Sequence, residues 1–414
     1  MFVLLLSSLA LQGPLFRGLI SHPTGANGYE EYVAAADLVS SPMFDQFMIR
    51  LKQYRPDQED ADITLPPTVN AKDTDLTVRR KFIDQFQRSL DLVEQGNQKP
   101  VYDPRDRFGP DTTLPELRYF KTLTRLEGIA ANVDFADGKT EEGVKRIEST
   151  LTFSSKISGG PLIFRLVGIA CASIATRELD HYWPQLSVED ADELVRYFDD
   201  TLSEPDQLIQ SLRSEEKAGI AALGAFLDDP AKFAAGGEFA IEGEKPDGFD
   251  DIAKLNPGDR MSLMQDAGAE IYRQFESVIQ RLSGPESGWV VPAPDEDSST
   301  ASLAKKVADT VIPATSQSVV AELKIRTRFR LCRLTAKAIS YKWTNGHLPT
   351  SITDFTTPEE RIDPSGGQFV YRKEKDGSWF KILRIGNDAL GEINAAATPA
   401  SPPAGSTAVP TPRF

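Results

Sequence analysis

The chain has 414 residues, 40% of them hydrophobic and 26% charged, and its 46 Lys+Arg against 61 Asp+Glu leave a net charge of -15. This globular composition excludes a wholly disordered chain, a collagen-like repeat and a polytopic membrane protein, and the length suits two or three domains of roughly 100–200 residues. The acidity argues against nucleic acid as the main partner, because phosphate binding needs clustered Lys and Arg.

The first residues, MFVLLLSSLALQGPLF, are apolar and uncharged up to Arg17. A spanning helix needs about 20 apolar residues; this run is shorter and is interrupted at Gly13-Pro14. A secretory signal normally carries basic residues ahead of its apolar stretch, and none stands here. Three readings therefore compete for residues 1–26: an atypical signal peptide, the end of an anchor that begins upstream, and a buried first helix. Export or anchoring is the expectation carried forward. It places the protein at the cell envelope and leaves a cytoplasmic location open.

Residues 27–40, NGYEEYVAAADLVS, read as a helix capped by Asn27, with Tyr29, Val33, Ala36 and Val39 on one face. The Pro-, Asp- and Thr-rich stretch 54–72 reads as a loop. A helix over 75–94 follows, with Phe82, Phe86, Leu90 and Val93 as its stripe. Helical spacing returns over 117–133, stops at Asp137-Gly138, resumes over 140–155 and stops again at Gly159-Gly160-Pro161. Residues 162–179 are apolar on nearly every face, with Arg165 as the one charge before Arg177, which predicts a central packed helix. Ser187 and Asp190 form a capping box for a helix to about Leu202, and Pro205 opens the next, to about Phe226. Residues 227–258 read as a surface insertion, 261–282 as a helix, and 284–318 as a linker with a short helix.

This succession predicts a mainly α protein. An irregular antiparallel helical domain at 27–283 carries the insertion at 227–258. It is followed by a small α+β module at 319–390 and an Ala/Pro-rich tail at 391–414 expected to be disordered. Residues 117–157 resemble one helix-turn-helix unit of tetratricopeptide type, without the 34-residue consensus repeating.

In the module, Ile325, Phe329, Cys332, Ala336, Ile339 and Trp343 form an almost unbroken core stripe, and Arg326, Arg330, Arg333 and Lys337 a basic one. The helix ends at Asn345-Gly346. Two strand-like runs, 368–372 and 379–383, flank Asp376-Gly377, a hairpin signal. The order helix, YKWTNGHLPTSITDF, IDPSGGQFVYR, DGSWFKILRIGND resembles the globular part of the major pseudopilins of type II secretion over about 70 residues. Pseudopilins run a hydrophobic N-terminal helix directly into this one, whereas here 318 residues precede it. The whole layout is also similar to a group of uncharacterised bacterial envelope proteins, through the segments at 27–36, 92–104 and 159–170. These resemblances imply a location and a fold rather than a reaction.

No nucleophile elbow, Walker loop or dinucleotide fingerprint occurs. Cys171 and Cys332 sit in apolar helical patterns and read as core residues. His22, His181 and His347 have no metal-ligand spacing. Asp295-Glu296-Asp297 lacks the alternation of a calcium loop. Glu189-Asp190 and Asp192-Glu193 read as charges that complement a helix dipole on a solvated face. Arg165, inside an apolar helix, needs a partner; a structural ion pair is favoured over anion binding. The basic stripe at 326–337 could dock an acidic partner or the protein's own acidic domain, with self-docking or plain solvation as the default. No catalytic residue, cofactor, metal, nucleic acid or small-molecule substrate is assigned. The module carries 13 Lys+Arg against 8 Asp+Glu, a net +5, which leaves -20 for the 318 residues before it. The two parts are thus expected to dock electrostatically, in a salt-sensitive way. The functional expectation is a non-enzymatic interaction or structural protein of the bacterial envelope, with a protein partner, membrane association through the N-terminal segment and an open link to secretion. The alternative is a hydrolase with its site in the helical domain.

Overall fold

The computed structural model describes residues 13–53, 75–105, 112–203, 207–228, 252, 254–289, 302–311, 315–373 and 379–385, with the side chains of 50–53, 225–228 and 310–311 excepted. Expectations about residues 1–12, the loop at 54–72, Pro205, residues 229–251 and 253 of the 227–258 insertion, Asp295-Glu296-Asp297, the Asp376-Gly377 turn and the tail lie outside the described residues; the ends of that insertion belong to helices, Gln207–Asp228 before it and Pro257–Leu282 after it.

The chain is mainly helical and ends in a two-stranded antiparallel sheet. In order come α1 (Pro14–Leu19), α2 (Gly28–Val39), α3 (Pro42–Gln53), α4 (Asp75–Asn97), α5 (Pro115–Ala136), α6 (Thr140–Lys156), α7 (Leu162–Leu179), α8 (Val188–Ser203), α9 (Gln207–Asp228), α10 (Pro257–Leu282), α11 (Leu303–Val311), α12 (Thr315–Asn345), β1 (Gln368–Lys373) and β2 (Phe380–Ile385). Local chemistry sets several boundaries as the sequence suggests. Asn27 accepts a bond from the Tyr29 amide at 3.1 Å and caps α2. Ser187 Oγ accepts from the Asp190 amide at 3.1 Å, and the Asp190 carboxylate accepts from the Ser187 amide at 2.9 Å, closing the box at the head of α8. Gly138 and Gly346 take φ of 75° and 73° where α5 and α12 stop, a conformation costly for residues with a Cβ. Two helices differ from the sequence reading. Pro14 does not end structure but opens α1 at its first turn, where a missing N–H costs nothing. Pro42 does the same for α3, which no stretch of the reading assigned.

Helices α4 to α7 pack successively on one another, with α2 against α4 and α5; α8 packs on α12 and α6, and α9 packs on α10 and α7. The apolar residues gather into three clusters. The first joins α1 to α5 and includes the rings of Phe44, Phe47, Phe82 and Phe86 in mutual contact. The second joins α5 to α8 with α12 and the hairpin, and the third joins α9, α10 and α11 with the start of α12. Helix α7 contributes to all three: Phe164 and Cys171 to the first, Ala172 and Leu179 to the second, Leu162 to the third. That is the physical reason its sequence is apolar on nearly every face. Gly168 permits the close approach of α7 to the end of α6, since a Cβ there would lie 2.0 Å from Ser158 Oγ and 2.6 Å from the Ser154 carbonyl oxygen.

The C-terminal strands pair from Gln368↔Ile385 to Lys373↔Phe380. Phe369, Phe380 and Ile382 enter the second cluster beside Ile325, Leu331 and Ile339 of α12. The module therefore shares its core with α5 to α8. The expected stripe on α12 is buried from Ile325 to Ile339, but Trp343 is 53% exposed. The helix has run past the cluster by then. The indole lies on the surface, with its N–H donating to the Leu186 carbonyl oxygen at 3.0 Å. Among the described residues, no helix is long and apolar enough to cross a membrane.

Candidate functional site

The position singled out in the sequence, Arg165, forms a two-pronged ion pair with Glu322 of α12: Nε donates to Oε2 at 2.7 Å and Nη2 to Oε1 at 2.6 Å. Its Nη1 donates to Gln207 Oε1 at 2.6 Å and to Ser158 Oγ at 3.2 Å. Glu322 is 0% exposed and Arg165 12%. Every nitrogen of the fork thus has a protein acceptor, and the adjacent cavity of about 40 Å³ has room for little more than water. The node ties α7, α9 and α12 together and is structural.

The basic stripe on α12 docks on the protein's own carboxylates. Arg326 and Arg330 both reach Glu286, Arg333 reaches Asp199 and Glu360, and Lys337 reaches Glu360 at 2.8 Å. Arg328, between them, pairs with Asp180 and donates to the Thr176 carbonyl oxygen at 2.7 Å. Cys171 and Cys332 are buried free thiols, pushed up to about 12 by burial. Among the described residues, no group of three or more His, Cys, Asp or Glu is placed to hold a metal ion.

A different feature is an open cleft of about 470 Å³ between α4 and α6, with Tyr197 of α8 on its rim. Helix α4 presents Gln87, Asp91 and Glu94 with Leu90 at the base, and Gln98 follows in the turn after the helix; Phe86 and Val93 are buried in the core. Helix α6 presents Glu142, Lys145, Ser149 and Thr152 in the same way. One end is closed by Asn97, whose amide donates to the Ser149 carbonyl oxygen at 2.9 Å and to Ser149 Oγ at 2.8 Å, and which accepts from the Tyr32 hydroxyl at 2.7 Å. Thr152 Oγ1 lies 3.3 Å from the Tyr197 hydroxyl on the other side.

Carboxylates dominate the lining: Asp91, Glu94, Glu127, Glu142 and Glu148 against Lys145 and Arg146. Both cations are already engaged, Lys145 with Glu141 and Arg146 with Asp134 and, at 3.7 Å, with Glu127. Glu127, from α5, is 3% exposed at the cleft floor. Burial pushes its carboxyl up to about 8; Glu94 and Asp134 push the same way and Arg146 opposes them. Glu148 is held at about 7 by burial and by Glu193 of α8, against Arg196 and Lys145. Its Oε1 is buried and accepts no hydrogen bond from the described residues. The charged groups that act most on Glu127 are Arg146, Glu94 and Asp134, and those that act most on Glu148 are Glu193, Arg196 and Lys145.

Sequence reasoning missed this site. It assigned the 189–193 carboxylates to a helix dipole and a solvated face. Asp190 is the buried capping residue, and Glu193 adds its charge to the field on Glu148. The polar faces of α4 and α6 were visible as the complements of their apolar stripes, but nothing local signalled that they look at one another. No protein-family model, curated protein or solved structure matches the chain.

Proposed function

We propose that this protein is a non-enzymatic interaction protein of the bacterial cell envelope and that the cleft between α4 and α6 is its binding surface. The observation that carries this reading is the character of the cleft. Small-molecule pockets are predominantly apolar, with a few polar groups placed for orientation. This one is open and lined by carboxylates, amides and hydroxyls, with Leu90 and Tyr197 as its apolar contributions, as a surface for a protein segment would be. The envelope placement is supported by the apolar run MFVLLLSSLALQGPLF and by the likeness of residues 319–388 to pseudopilin globular modules. One observation favours the alternative of a hydrolase: two carboxyls titrating near neutrality line one cleft. Acid–base hydrolysis needs both groups on one bond, and their separate neighbourhoods speak against that.

A photoreactive amino acid at Gln87, in the cleft, is expected to trap a protein partner in the membrane or periplasmic fraction of cells. The same residue at Lys217, on the exposed face of α9, is not. Equal trapping at both positions, or none at Gln87, contradicts the reading.

A further inference from the structure

We infer that the outward side of α7 and the adjoining edge of α5 form a docking surface for an acidic, aliphatic-bearing helical segment of a protein partner. The inference is independent of the cleft and of the reading placed on it. Helices α5 and α7 pack side by side and run in the same direction. Thr124 meets the Cys171 thiol, and one turn on a Cβ at Gly128 would lie 3.1 Å from Glu178 Cγ. On α7, Ile163, Val167, Ala170, Ile174 and Arg177 recur at helical spacing on one side. Ile163 is 45% exposed there, and Ala170 and Ile174 are half-buried. On α5, Arg118, Lys121 and Arg125 make an exposed row. Lys121 and Arg125 are close enough to Cys171 for their charge to act on its thiol, which sets the cationic row beside the apolar one.

This face carries one sign of charge. Neither residues 117–126 of α5 nor 162–177 of α7 include an Asp or Glu, and Arg165 is turned inward to Glu322. Among the described residues, Arg118, Lys121, Arg125 and Arg177 close no ion pair. Arg118 lies over the Tyr119 ring at 5.6 Å, and the field of Arg177 reaches Glu178 without the two pairing. On a chain of net charge -15, a face with cations unspent on its own carboxylates selects an anionic partner. At 1.5 Å per residue, Arg118 to Arg125 spans about 10 Å and Ile163 to Ile174 about 16 Å. Two to three turns of an apposed helix match that, with Glu three or four residues apart beside a row of Leu. A bilayer suits the face less well. Val167 is 8% exposed and Ile163 is the one aliphatic side chain that stands out, so the apolar row is recessed beside long cations, and no Trp is present to anchor in an interface.

Fluorescence anisotropy of the full chain reads the surface, with a labelled helical peptide of about 18 residues in that Glu and Leu pattern and a scrambled peptide of the same composition. We expect the patterned peptide to bind about tenfold more tightly than the scrambled one, K121E/R125E to bind it about tenfold more weakly and I163A about threefold more weakly. K139E/K217E, with the same change of charge at exposed positions off this face, binds as the parent does. Exchanging the peptide's Glu for Lys restores binding to K121E/R125E and abolishes it for the parent. Binding indifferent to the order of the peptide's residues or to K121E/R125E, an equal loss in K139E/K217E, or failure of the patterned peptide to bind overturns the inference. Preference for phosphatidylglycerol vesicles over the peptide, lost in K121E/R125E, assigns the face to a membrane and overturns it as well.

Discussion

Replacing Arg165 by Met leaves the Glu322 carboxylate at 0% exposure without its two-pronged partner. Breaking a buried ion pair from one side costs on the order of 3–5 kcal/mol, because the remaining charge stays desolvated and unpaired. Arg326 Nη1, 3.9 Å from Glu322 Oε1, is a poor substitute, so R165M is expected within that range. Replacing Glu322 by Leu should cost less. Arg165 is 12% exposed and keeps Gln207 and Ser158 as acceptors, so its charge is less stranded, and about 2 kcal/mol is expected. The double variant R165M/E322L removes both charges and restores an apolar contact. It should return to within about 1 kcal/mol of the parent, since exchanging a buried pair for hydrophobic residues is often neutral or stabilising. Urea unfolding of the four proteins, followed by tryptophan fluorescence, closes the double-mutant cycle. The reasoning is refuted by additive effects of the two substitutions, or by R165M costing under about 1 kcal/mol, the range of an exposed pair.

Three further outcomes follow from particular contacts. Glu127 holds its proton up to about pH 8 in the fold, against an ordinary value of 4.5. Across that window the unfolded chain has released the proton and the folded one has not, so stability falls as pH rises, by up to about 1.4 kcal/mol per unit. E127Q should flatten this slope in denaturation midpoints between pH 5 and 8, gaining most at pH 8; an unchanged slope means Glu127 is not a buried neutral carboxyl. Gly168→Ala forces a methyl onto Ser158 Oγ and the Ser154 carbonyl oxygen and should cost about 1–3 kcal/mol, measured in the same assay; a neutral effect would show that α6 and α7 have slack between them. Raising salt should expose the 284–289 segment to protease as the Glu286 pairs with Arg326 and Arg330 weaken, yet leave the near-ultraviolet circular dichroism of the module unchanged. Partly exposed pairs contribute about 0–1 kcal/mol each, whereas Ile325, Phe329, Leu331 and Ile339 are buried in the shared cluster at about 1.5–3 kcal/mol apiece. Loss of that signal in high salt would mean the charges, not the apolar cluster, hold the module.

Legibility in the sequence followed the range of the forces. The span of α7, the Asn27 cap, the Ser187–Asp190 box, the stops at Gly138 and Gly346 and the C-terminal strand pair rest on interactions within a few residues or on hydrophobic period, and each stands in the structure where the pattern placed it. Helix α3 has the spacing Phe44, Phe47, Met48 behind a proline start, a short signal easily passed over beside the long loop after it. Trp343 continued the stripe on α12 in register, but burial depends on where the facing elements end. The need for a partner at Arg165 was legible, while its identity, 157 residues away, was not. The cleft is the extreme case. A solvated helix face and a cleft wall have the same composition, and Glu127 is distinguished from a surface glutamate only by the helices that cover it.

Hydrogen–deuterium exchange of the full chain, with and without the protein trapped through Gln87, tests the central claim most directly, because it asks where the partner lands without presuming the site. The account predicts slowed amide exchange confined to residues 87–97 of α4 and 142–152 of α6, the two walls of the cleft. Protection centred on α9 and α10, or none anywhere at saturating partner, would contradict it.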